Sequence, residues 1–407
     1  MVGIKFPAKT WSEIDLSGKN ILVRVDYNVP IKNGKVEDDF RIFSTLPMLR
    51  KLQEKKCKII LISHLGRPHG EKKEELSLKP VAKKLEELLG QKINFIPDCI
   101  GDKVKSSVRK ASQGEILLLE NLRFYKGEES NDMNFAEQLA KSSQARVFIQ
   151  NGYGVVHRVH ASTDAITNFI PSVAGPLLID EWLSIQNTIK NPNRPLVSVI
   201  GGAKIADKLP LIEKIVEISD KVILGGAIVN NFLMNEGFSV GASLWDPTVD
   251  LKTNKIIDQA KKKFGRIWRQ NFIIPVDVAV SKNGNSNGVR HVLTRNSVAP
   301  NNAIFDIGTK SINIASDSIK NAGTVIWNGT LGMAEKVNFS HSSSRISLTL
   351  ANNPQIFSLI CGGDTVDFVR NWDRLKGGSF SYLSTGGGAA LNQISGEKLP
   401  GIESLLC

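Results

Sequence analysis

Arginine and histidine side chains recur directly after short apolar runs in the first half of the chain. The run LVRV leads into Asp26 and Asn28, and the run KIILI leads into SHLGRP, which contains His64 and Arg67. An imidazole and a guanidinium beside one glycine can bind an anion through charge-assisted hydrogen bonds. These residues predict a site for a phosphate or a carboxylate. For each segment taken alone, a hydrogen-bonded strand end or a structural histidine is the alternative.

Three further segments of the first half add cations. Arg123 follows the apolar run ILLL, Arg41 lies in DDFRI before the first long predicted helix, and Arg158 lies in HRVH. The spacing of His157 and His160 would suit a metal ion, but the sequence shows no third ligand, which argues against zinc. One basic site for a small, highly charged anion accounts for all five segments together.

Glycine-rich segments replace the arginines in the second half. GGAK and CGGDT each follow an apolar run, and STGGGA comes later. At a helix N-terminus, glycine lets backbone N–H groups approach phosphate oxygens, and Lys204 and Lys208 can neutralise their charge. Asp364 of CGGDT is placed where a carboxylate could hold magnesium, and Glu335 of WNGTLGMAE could accept hydrogen bonds from ribose hydroxyls. A tight strand-to-helix turn, which also favours glycine, is the alternative.

Alternating strands and helices must position these side chains. Short β-branched runs alternate with the helical patterns FRIFSTLPMLRKLQEK, SLKPVAKKLEELL and NFAEQLAKS, which indicates β-α-β units around a parallel sheet. Because ligands of open parallel sheets bind beyond the carboxyl ends of the strands, the polar residues after each run are the expected contacts. The predicted strands are ILVRV at 21–25, KIILI at 58–62, ILLL at 116–119, RVFI at 146–149, LVSVI at 196–200, KVILG at 221–225, TVIW at 324–327 and IFSLI at 356–360.

The rhythm of strands restarts after residue 190, so the sequence predicts two α/β domains. A chain of 407 residues also exceeds what one hydrophobic core usually serves. GPLLIDEWLSIQNTIKNP (175–192) has amphipathic spacing and ends in Asn-Pro, so we expect a helix that connects two domains around a closing cleft. The polar segment KNGNSNG (282–288) is predicted to be an exposed loop between strands.

Composition narrows the classes of function. Lys and Arg number 52 against 40 Asp and Glu, and the net charge of +12 would attract phosphorylated metabolites, nucleotides or nucleic acid. The four cysteines, at 57, 99, 361 and 407, form no zinc spacing, so we expect reduced thiols in the cytoplasm. The sequence has no signal-peptide pattern and no apolar run of membrane-spanning length. It also lacks the motifs of P-loop ATPases, dinucleotide-dependent dehydrogenases and serine hydrolases.

Eight strings, in this order, resemble the phosphoglycerate kinase family. They are LVRVDYNVP, SHLGRP, LLLENLRF, HRVHAST, GGAK with DK, WNG with a following G and E, GGDT and STGGGA, and the resemblance runs from about residue 15 to about residue 401. It implies an α/β fold of two Rossmann-like lobes with parallel sheets, joined by a connecting helix and hinge. It also implies reversible phosphoryl transfer from 1,3-bisphosphoglycerate to ADP, giving 3-phosphoglycerate and ATP in glycolysis and gluconeogenesis.

The resemblance assigns roles to individual residues. Those matched to the phosphoglycerate are Asp26, Asn28, Arg41, His64, Arg67, Arg123 and Arg158. Those matched to the nucleotide are Gly202, Ala203, Lys204, Asp207, Lys208, Gly226, Asn328, Gly332, Glu335, Gly362, Gly363, Asp364, Thr365, Gly386, Gly387 and Gly388. Arg41, Lys204 and Lys208 would be catalytic by neutralising the transferred phosphoryl group, and Asp364 would contact Mg²⁺. Such a transfer depends on positioning and charge neutralisation and needs no nucleophilic side chain.

The same resemblance implies domain bounds and partners. Residues 1–172 would form a phosphoglycerate-binding lobe on which 390–407 pack back, 173–191 the connecting helix, and 192–389 the nucleotide-binding lobe. The expected partners are the phosphoglycerates, ADP or ATP and Mg²⁺, with no membrane and no specific nucleic acid. We expect a monomer.

Several positions depart from the family's usual pattern. Where the family has N-D-A-F-G, the chain has QNGYG at 150–154, in which Asn151 replaces the aspartate. Thr330 replaces a proline, and Ala227 and Cys361 each replace a glycine. These departures motivate one alternative, a binding protein of the same fold with weakened catalysis, and the net charge motivates another, a nucleic-acid-binding protein. The first alternative is opposed by intact Arg41, Lys204, Lys208 and Asp364. The second is opposed by the placement of the arginines at strand ends instead of along one exposed helix.

Overall fold

The computed structural model describes residues 4–406, and the chain divides into two compact units. One unit is Met1–Leu183 with Lys398–Cys407, and the other is Ser184–Glu397. The division falls inside the helix Pro176–Lys190, which occupies most of the stretch predicted to connect two domains.

The first unit is built on a parallel sheet. Its strands are β1 (Asn20–Arg24), β2 (Ile31–Lys32), β3 (Lys35–Val36), β4 (Lys58–Ile62), β5 (Asn94–Ile96), β6 (Ile116–Leu119), β7 (Val147–Gln150) and β8 (Ser172–Ala174). The sheet order is β5-β6-β4-β1-β7-β8, and β2 and β3 form a separate antiparallel pair. Ile21 and Val23 join one apolar cluster and Leu22 joins another, because successive side chains of a strand point to opposite faces. Burial on both faces explains why the strands read as continuous apolar runs.

Helices cover both faces of this sheet. The helices of this part of the chain are α1 (Phe40–Phe43), α2 (Leu46–Glu54), α3 (Lys79–Leu89), α4 (Asp102–Lys110), α5 (Lys126–Glu129) and α6 (Met133–Ser143), followed by α7 (Pro176–Lys190), in which the two units divide. Leu49 of α2 and Leu85 of α3 pack in the cluster of Ile21, whereas Val104 of α4 and Phe135 of α6 pack in the cluster of Leu22. Because β6, β4 and β1 are neighbours in the sheet, the loops that follow them leave it at adjacent carboxyl ends. These loops carry the polar motifs.

The stretch 40–55 differs from its predicted form. One continuous helical pattern was expected there, but α1 ends at Phe43 and α2 begins at Leu46. Pro47 has no N–H to donate to a carbonyl of the preceding turn, and the first turn of a new helix needs no such donor. Arg41 consequently lies on a short helix of its own.

The second unit contains a parallel and an antiparallel sheet. Its strands are β9 (Leu196–Ile200), β10 (Lys221–Leu224), β11 (Phe272–Ile273), β12 (Asp277–Lys282), β13 (His291–Thr294), β14 (Asn302–Ile307), β15 (Thr324–Asn328), β16 (Phe357–Cys361) and β17 (Tyr382–Leu383). Parallel strands follow the order β11-β10-β9-β15-β16-β17, and antiparallel strands follow the order β13-β12-β14. The segment 282–288 connects β12 to β13, as predicted. The parallel sheets of the two units confirm the predicted α/β fold class.

The helices of the second unit are α8 (Ile205–Ile218), α9 (Ile228–Asn235), α10 (Asp250–Phe264), α11 (Trp268–Asn271), α12 (Thr309–Lys320), α13 (His341–Ala351), α14 (Gly363–Trp372) and α15 (Gly388–Ser395). Three of them, α8, α14 and α15, open directly after the glycine-rich segments. In the part of the chain that the structure describes, no helix combines the length and apolar character that a membrane span requires.

The C-terminal residues return to the first unit later than expected. Helix α16 (Pro400–Glu403) belongs to that unit, where the Gly401 amide donates to the Val156 carbonyl at 2.9 Å and the Ser404 hydroxyl donates to the Thr163 carbonyl at 3.0 Å. Helix α15 instead packs on α8 in the second unit, because Ala389, Ala390 and Ile394 form a buried apolar face. The returning segment thus begins at Lys398 and not at residue 390.

Candidate active-site residues in the two units

The most deeply buried part of the basic site is a contact between Arg24 and His64. Arg24 ends β1 with only 1% of its surface exposed, and its Nη2 lies 3.1 Å from Nδ1 of His64. Burial, followed by the charge of Arg24 and of three further arginines, holds the pKa of His64 well below its usual value, so the ring is neutral at neutral pH. Nε and Nη1 of Arg24 are buried without a hydrogen-bond partner, which leaves unused donor capacity at this site.

A buried carboxylate compensates part of this charge. Glu128 is fully buried, with Oε1 at 4.0 Å from Nη2 of Arg24, and it accepts hydrogen bonds from the amide (3.1 Å) and hydroxyl (2.7 Å) of Ser162. Neither Arg24 nor Glu128 was among the predicted site residues. The alternation of Arg24 with Asp26 along β1 was a usable signal for Arg24. Nothing in KGEES distinguishes Glu128 from an exposed helical glutamate.

Arg41 joins the loop after β1 to helix α1. Its Nη1 donates to Oδ2 of Asp26 at 2.9 Å and to the carbonyl of Asn28 at 3.1 Å. Oδ1 of Asn28 in turn accepts from the Gly66 amide at 2.9 Å, which fixes the loop after β4. The structure therefore brings Asp26, Asn28 and Arg41 together, with a quarter of the Arg41 side chain exposed.

Arg123 contacts the same loop after β4. It follows β6, its Nη1 donates to the Gly66 carbonyl at 2.7 Å, and its Nε lies 3.2 Å from Oε1 of Glu129. Burial, opposed by Glu129, lowers the pKa of Arg123 to about 10, so the guanidinium keeps its charge at neutral pH. Gly66 has φ +61°, and a Cβ there would lie 2.7 Å from Cδ2 of Leu76, so this turn requires glycine.

Arg158 and the two histidines of HRVH complete the basic site of the first unit. Nε of Arg158 donates to Nε2 of His157 at 3.1 Å, and Nδ1 of His160 lies 3.8 Å from Oε1 of Glu128. Burial, aided by neighbouring arginines, lowers the pKa of His157 to about 4 and that of His160 to about 3. Within residues 4–406 no group of three or more His, Cys, Asp or Glu side chains is arranged to hold a metal ion. Arg67 lies on the loop after β4 with its side chain exposed.

In the second unit, Lys208 ties two loops together. Its Nζ donates to the Gly201 carbonyl at 2.6 Å and to Oδ1 of Asn328 at 2.7 Å. Burial lowers the pKa of Lys208 to about 8, so most of the ammonium is protonated at neutral pH. The Asn328 side chain also donates through Nδ2 to the Cys361 carbonyl at 3.1 Å, which connects β15 to β16.

Backbone hydrogen bonds bring the glycine-rich loops into direct contact. The Gly202 amide donates to the Thr330 carbonyl at 2.8 Å, and the Gly226 amide donates to the Leu331 carbonyl at 2.7 Å. Gly226 has φ +63°, and a Cβ there would collide with the backbone of Gly202. At this position glycine is required by loop packing, whatever ligand the loops bind.

A cavity of about 780 Å³ opens beside these loops. It is lined by the predicted residues Gly202, Ala203, Gly226, Gly332, Glu335 and Asp364. Phe305, Met333, Phe368 and Trp372 supply apolar walls that the sequence motifs did not indicate. A mostly apolar cavity with a few polar groups at one end is the usual form of a small-molecule site.

Helix α14 brings Asp364 to this cavity. Gly362 and Gly363 lead into the helix, Asp364 lies exposed in its first turn, and the hydroxyl of buried Thr365 accepts from the Gly329 amide at 2.7 Å. An acidic residue in the first turn also complements the helix dipole.

Several predicted residues lie outside the lining of the cavity. Lys204 and Asp207 are exposed on a smaller depression of about 280 Å³ that also contains Trp245. The segment Gly386, Gly387 and Gly388 opens α15, with the Gly386 amide donating to the Ser384 hydroxyl at 3.0 Å. The structure thus groups six predicted nucleotide residues around the cavity, with Lys208, Asn328 and Thr365 bonded directly to its loops.

Residues 11–397 match the family model for phosphoglycerate kinase. The chain belongs to the phosphoglycerate kinase family. It is 39% identical over 395 residues to a phosphoglycerate kinase of Trichodesmium erythraeum, covering 97% of each chain. It is 40% identical over 402 residues to the enzyme of Desulforapulum autotrophicum, covering 98% of this chain and 100% of the relative. The solved structure of phosphoglycerate kinase from Coxiella burnetii matches 98% of this chain and 99% of its own, with 33% identity and a TM-score of 0.82.

The departures from the family's usual pattern occupy defined places in the fold. Asn151 is buried behind β7 and accepts a hydrogen bond from the Leu177 amide of α7 at 3.0 Å. Ala227 and Thr330 line the cavity, and Cys361 is buried with its Sγ 3.5 Å from Nδ2 of Asn328. Three of the four positions therefore adjoin the candidate nucleotide site, and the fourth adjoins the start of α7.

Proposed function

We propose that this chain is a phosphoglycerate kinase that transfers a phosphoryl group reversibly between 1,3-bisphosphoglycerate and ADP. Membership of the family supports this activity, and so do two sites of different chemistry in one chain. The first unit offers a buried arginine and histidine cluster, which suits a small, highly charged acid. The second offers a cavity with glycine-rich loops, which suits a nucleotide. The observation that supports the proposal most is the presence of Glu335 and Asp364 on one cavity beside the loops fixed by Lys208.

The phosphoglycerate is proposed to bind in the first unit. Asp26 and Asn28 fix Arg41, while His64 and Arg123 lie at the neighbouring strand ends. Neutral His64 can hydrogen-bond the ligand without adding charge, whereas the guanidiniums supply charge and paired donors. Arg67 and Arg158 are proposed as further contacts to the same ligand.

The nucleotide is proposed to bind in the second unit. Glu335 would accept hydrogen bonds from ribose hydroxyls, and the apolar walls would cover the base. The other proposed nucleotide contacts are Gly202, Ala203, Lys204, Asp207, Lys208, Gly226, Asn328, Gly332, Gly362, Gly363, Thr365, Gly386, Gly387 and Gly388.

The proposed chemistry needs no covalent intermediate, because the acyl phosphate is already an activated donor. In-line transfer requires the donor and acceptor oxygens to be aligned and the charge on the moving group to be balanced. Arg41 is proposed to supply this charge from the first unit, and Lys204 and Lys208 from the second. Because the ligands bind different units, the proposed reaction requires the units to bring them together, with α7 as the connecting element.

Magnesium is the proposed metal, bound together with the nucleotide phosphates. Mg²⁺ is commonly held by one or two protein carboxylates plus substrate oxygens and water. Asp364 fits this requirement, because its carboxylate is exposed at the cavity. The bound ion would balance negative charge on the phosphates.

Further expectations follow from the family and complete the proposal. We propose that residues 1–172 with the returning C-terminal segment from Lys398 form the phosphoglycerate lobe and that 192–397 form the nucleotide lobe. We further propose a cytoplasmic monomer with no membrane partner and no sequence-specific nucleic-acid partner.

A coupled assay with 3-phosphoglycerate, ATP and Mg²⁺ tests the proposal. The wild-type chain should show turnover that depends on all three components. Asp364→Asn should lower turnover and raise the Mg²⁺ concentration needed, whereas Asp317→Asn, at an exposed aspartate on α12, should behave as wild type. Absence of turnover in folded protein that still binds ADP would instead support the binding-protein alternative.

A further inference from the structure

Asp306 is a buried carboxylate in the wall of the cavity. It lies near the end of β14 with 1% of its surface exposed. Oδ1 accepts from the Ser342 hydroxyl and, at 2.8 Å, from the Ile307 amide, while Oδ2 accepts from the Ser342 amide at 3.2 Å. Ser342 is in the first turn of α13, so Asp306 anchors that helix to the strand.

The same carboxylate supports the loop that carries Glu335. A Cβ at Gly332 would collide with Oδ1 of Asp306 and with the carbonyl of Phe339, so the loop backbone packs directly on both. The next residue, Met333, donates its amide to the Phe305 carbonyl at 2.8 Å. Strand β14 therefore holds this loop by its backbone on one side and by Asp306 on the other.

We propose that Asp306 is a positioning residue for the nucleotide, because it fixes Ser342 and the backbone at Gly332 and thereby sets the place of Glu335 on the cavity. Asp306 contacts no ligand in this role and acts through the loop. The inference rests on the proposed nucleotide site.

The charge of Asp306 is set by its surroundings. Arg290, before β13, places Nη2 at 4.0 Å from Oδ2 and donates to the Ile307 carbonyl at 3.2 Å. Burial raises the pKa of Asp306 to about 6, against the hydrogen bonds of Ser342. Burial and Arg290 lower the pKa of His341, so this neighbour on α13 is neutral at neutral pH. In the loop, Lys336 bonds to Oδ1 of Asn287 at 2.8 Å.

A matched control lies on the adjacent strand. Asp277 of β12 is also buried, and it anchors α12 through the amide (2.8 Å) and hydroxyl (2.6 Å) of Ser311. The two aspartates thus make the same kind of strand-to-helix contact. Asp306 lines the cavity and Asp277 does not. A purely structural role would make the two substitutions equivalent.

The experiment compares ADP binding and steady-state kinetics in Asp306→Asn, Ser342→Ala, Ser342→Thr and Asp277→Asn. Loss of one or two of the hydrogen bonds that hold Asp306 against the loop should raise Kd and KM for ADP about tenfold in the first two variants. The KM for 1,3-bisphosphoglycerate and kcat should stay within about twofold. Ser342→Thr keeps the hydroxyl and should stay near wild type. Asp277→Asn should lower the melting temperature without changing the KM for ADP.

A pH series tests the role of Asp306 in ADP binding separately from its effect on protein stability. Protonation of Asp306 below about pH 6 turns one acceptor oxygen into a donor, so the KM for ADP should rise in wild type and in Asp277→Asn. Titration of the ADP phosphates changes the KM for ADP equally in every variant, so it cancels in the comparison. The additional rise should be absent in Asp306→Asn.

Two results would overturn the proposal. One is wild-type ADP affinity in both Asp306→Asn and Ser342→Ala, and the other is an equal loss of affinity in Asp277→Asn. If the wild-type chain bound no ADP, the proposed nucleotide site itself would be wrong. The inference, which rests on that site, would then be wrong for a different reason.

Discussion

Nζ of Lys208 lies 2.7 Å from Oδ1 of Asn328, so a lysine of the proposed catalytic set is bonded to protein acceptors. It also donates to the Gly201 carbonyl at 2.6 Å and lies 3.4 Å from the Asn328 carbonyl. An ammonium has three donors, and these oxygens occupy them. To neutralise a phosphoryl group, Lys208 must exchange at least one of these contacts for a phosphate oxygen.

The pH dependence of nucleotide use should report on Lys208. Because burial lowers its pKa to about 8, the side chain loses charge above that pH, and kcat/KM for the nucleotide should fall between pH 8 and 9.5. Lys208→Arg keeps its charge at these pH values, so a variant that folds and turns over should show the fall at higher pH.

Protein stability is the control for this prediction. The pKa of Lys208 is lowered on folding, so the unfolded chain binds more protons between pH 8 and about 10.5. The contribution of Lys208 to stability therefore rises with pH across that window, and unfolding is not expected to cause the loss of activity. Thermal denaturation at each pH checks this. An unchanged pH profile in active Lys208→Arg would contradict the assignment.

Thr330→Pro should tighten ADP binding. The structural contact of Thr330 with the neighbouring loop is made by its carbonyl, which accepts from the Gly202 amide, and proline keeps that oxygen. The ring would restrict φ and reduce the freedom of the loop 327–335 before the ligand binds. We expect Kd for ADP to fall by a factor of about two to five, from an entropic gain of roughly 0.4–1 kcal/mol. Calorimetry that gave weaker binding in a folded variant would show that the loop backbone does not accept the ring.

The parallel strands could be predicted because their burial dictates their composition. KIILI is β4 and LVSVI is β9, residue for residue, since a strand buried on both faces is predominantly apolar. One edge strand of the antiparallel sheet in the second unit gave no such signal. His291–Thr294 forms this strand, β13, with mostly exposed side chains, so the segment has no continuous apolar run.

The candidate site divides in the same way. Asp26, His64 and Arg123 could be grouped from sequence because each follows a parallel strand, and the carboxyl ends of these strands adjoin. Phe368 and Trp372, which form apolar walls of the cavity, could not be assigned to the site from sequence, because helical spacing does not indicate which helix face borders a cavity. Their grouping depends on contacts between segments far apart in the chain.

Asn151→Asp should stabilise the start of α7. Oδ1 of Asn151 accepts from the Leu177 amide at 3.0 Å, whereas its Nδ2 is buried without a hydrogen-bond partner. A carboxylate keeps the acceptor, removes the unsatisfied donor and places negative charge near a helix N-terminus. We expect the free energy of unfolding to rise by ~1 kcal/mol after the cost of burying the charge.

Thermal denaturation of three chains tests this effect. Asn151→Ala removes the acceptor as well as the donor and should lie below wild type, while Asn151→Asp should lie above it. A melting temperature of Asn151→Asp below that of wild type would mean that desolvation of the carboxylate exceeds the capping gain.

Arg41 and Arg158 should differ in which kinetic constant they control. Arg41 is held by Asp26 and Asn28, and the resemblance places it toward the transferred group, whereas Arg158 bonds to His157. An interaction made only in the transition state changes kcat, and one made equally in the ground state changes KM. Arg41→Met should therefore lower kcat by ~10²–10⁴, since lysines and magnesium share the charge. Arg158→Met should mainly raise the KM for 3-phosphoglycerate.

Arg50→Met is the matched control for these two variants, because Arg50 is an exposed arginine on α2 and the substitution removes the same charge. Steady-state kinetics with both substrates should leave its kcat and KM near wild type. If folded Arg41→Met kept a near-normal kcat while its KM rose, Arg41 would bind the ground state only. The charge on the transferred phosphoryl group would then have to be balanced by Lys208. To do so, Lys208 would have to replace its contact with Asn328 by a contact with a phosphate oxygen.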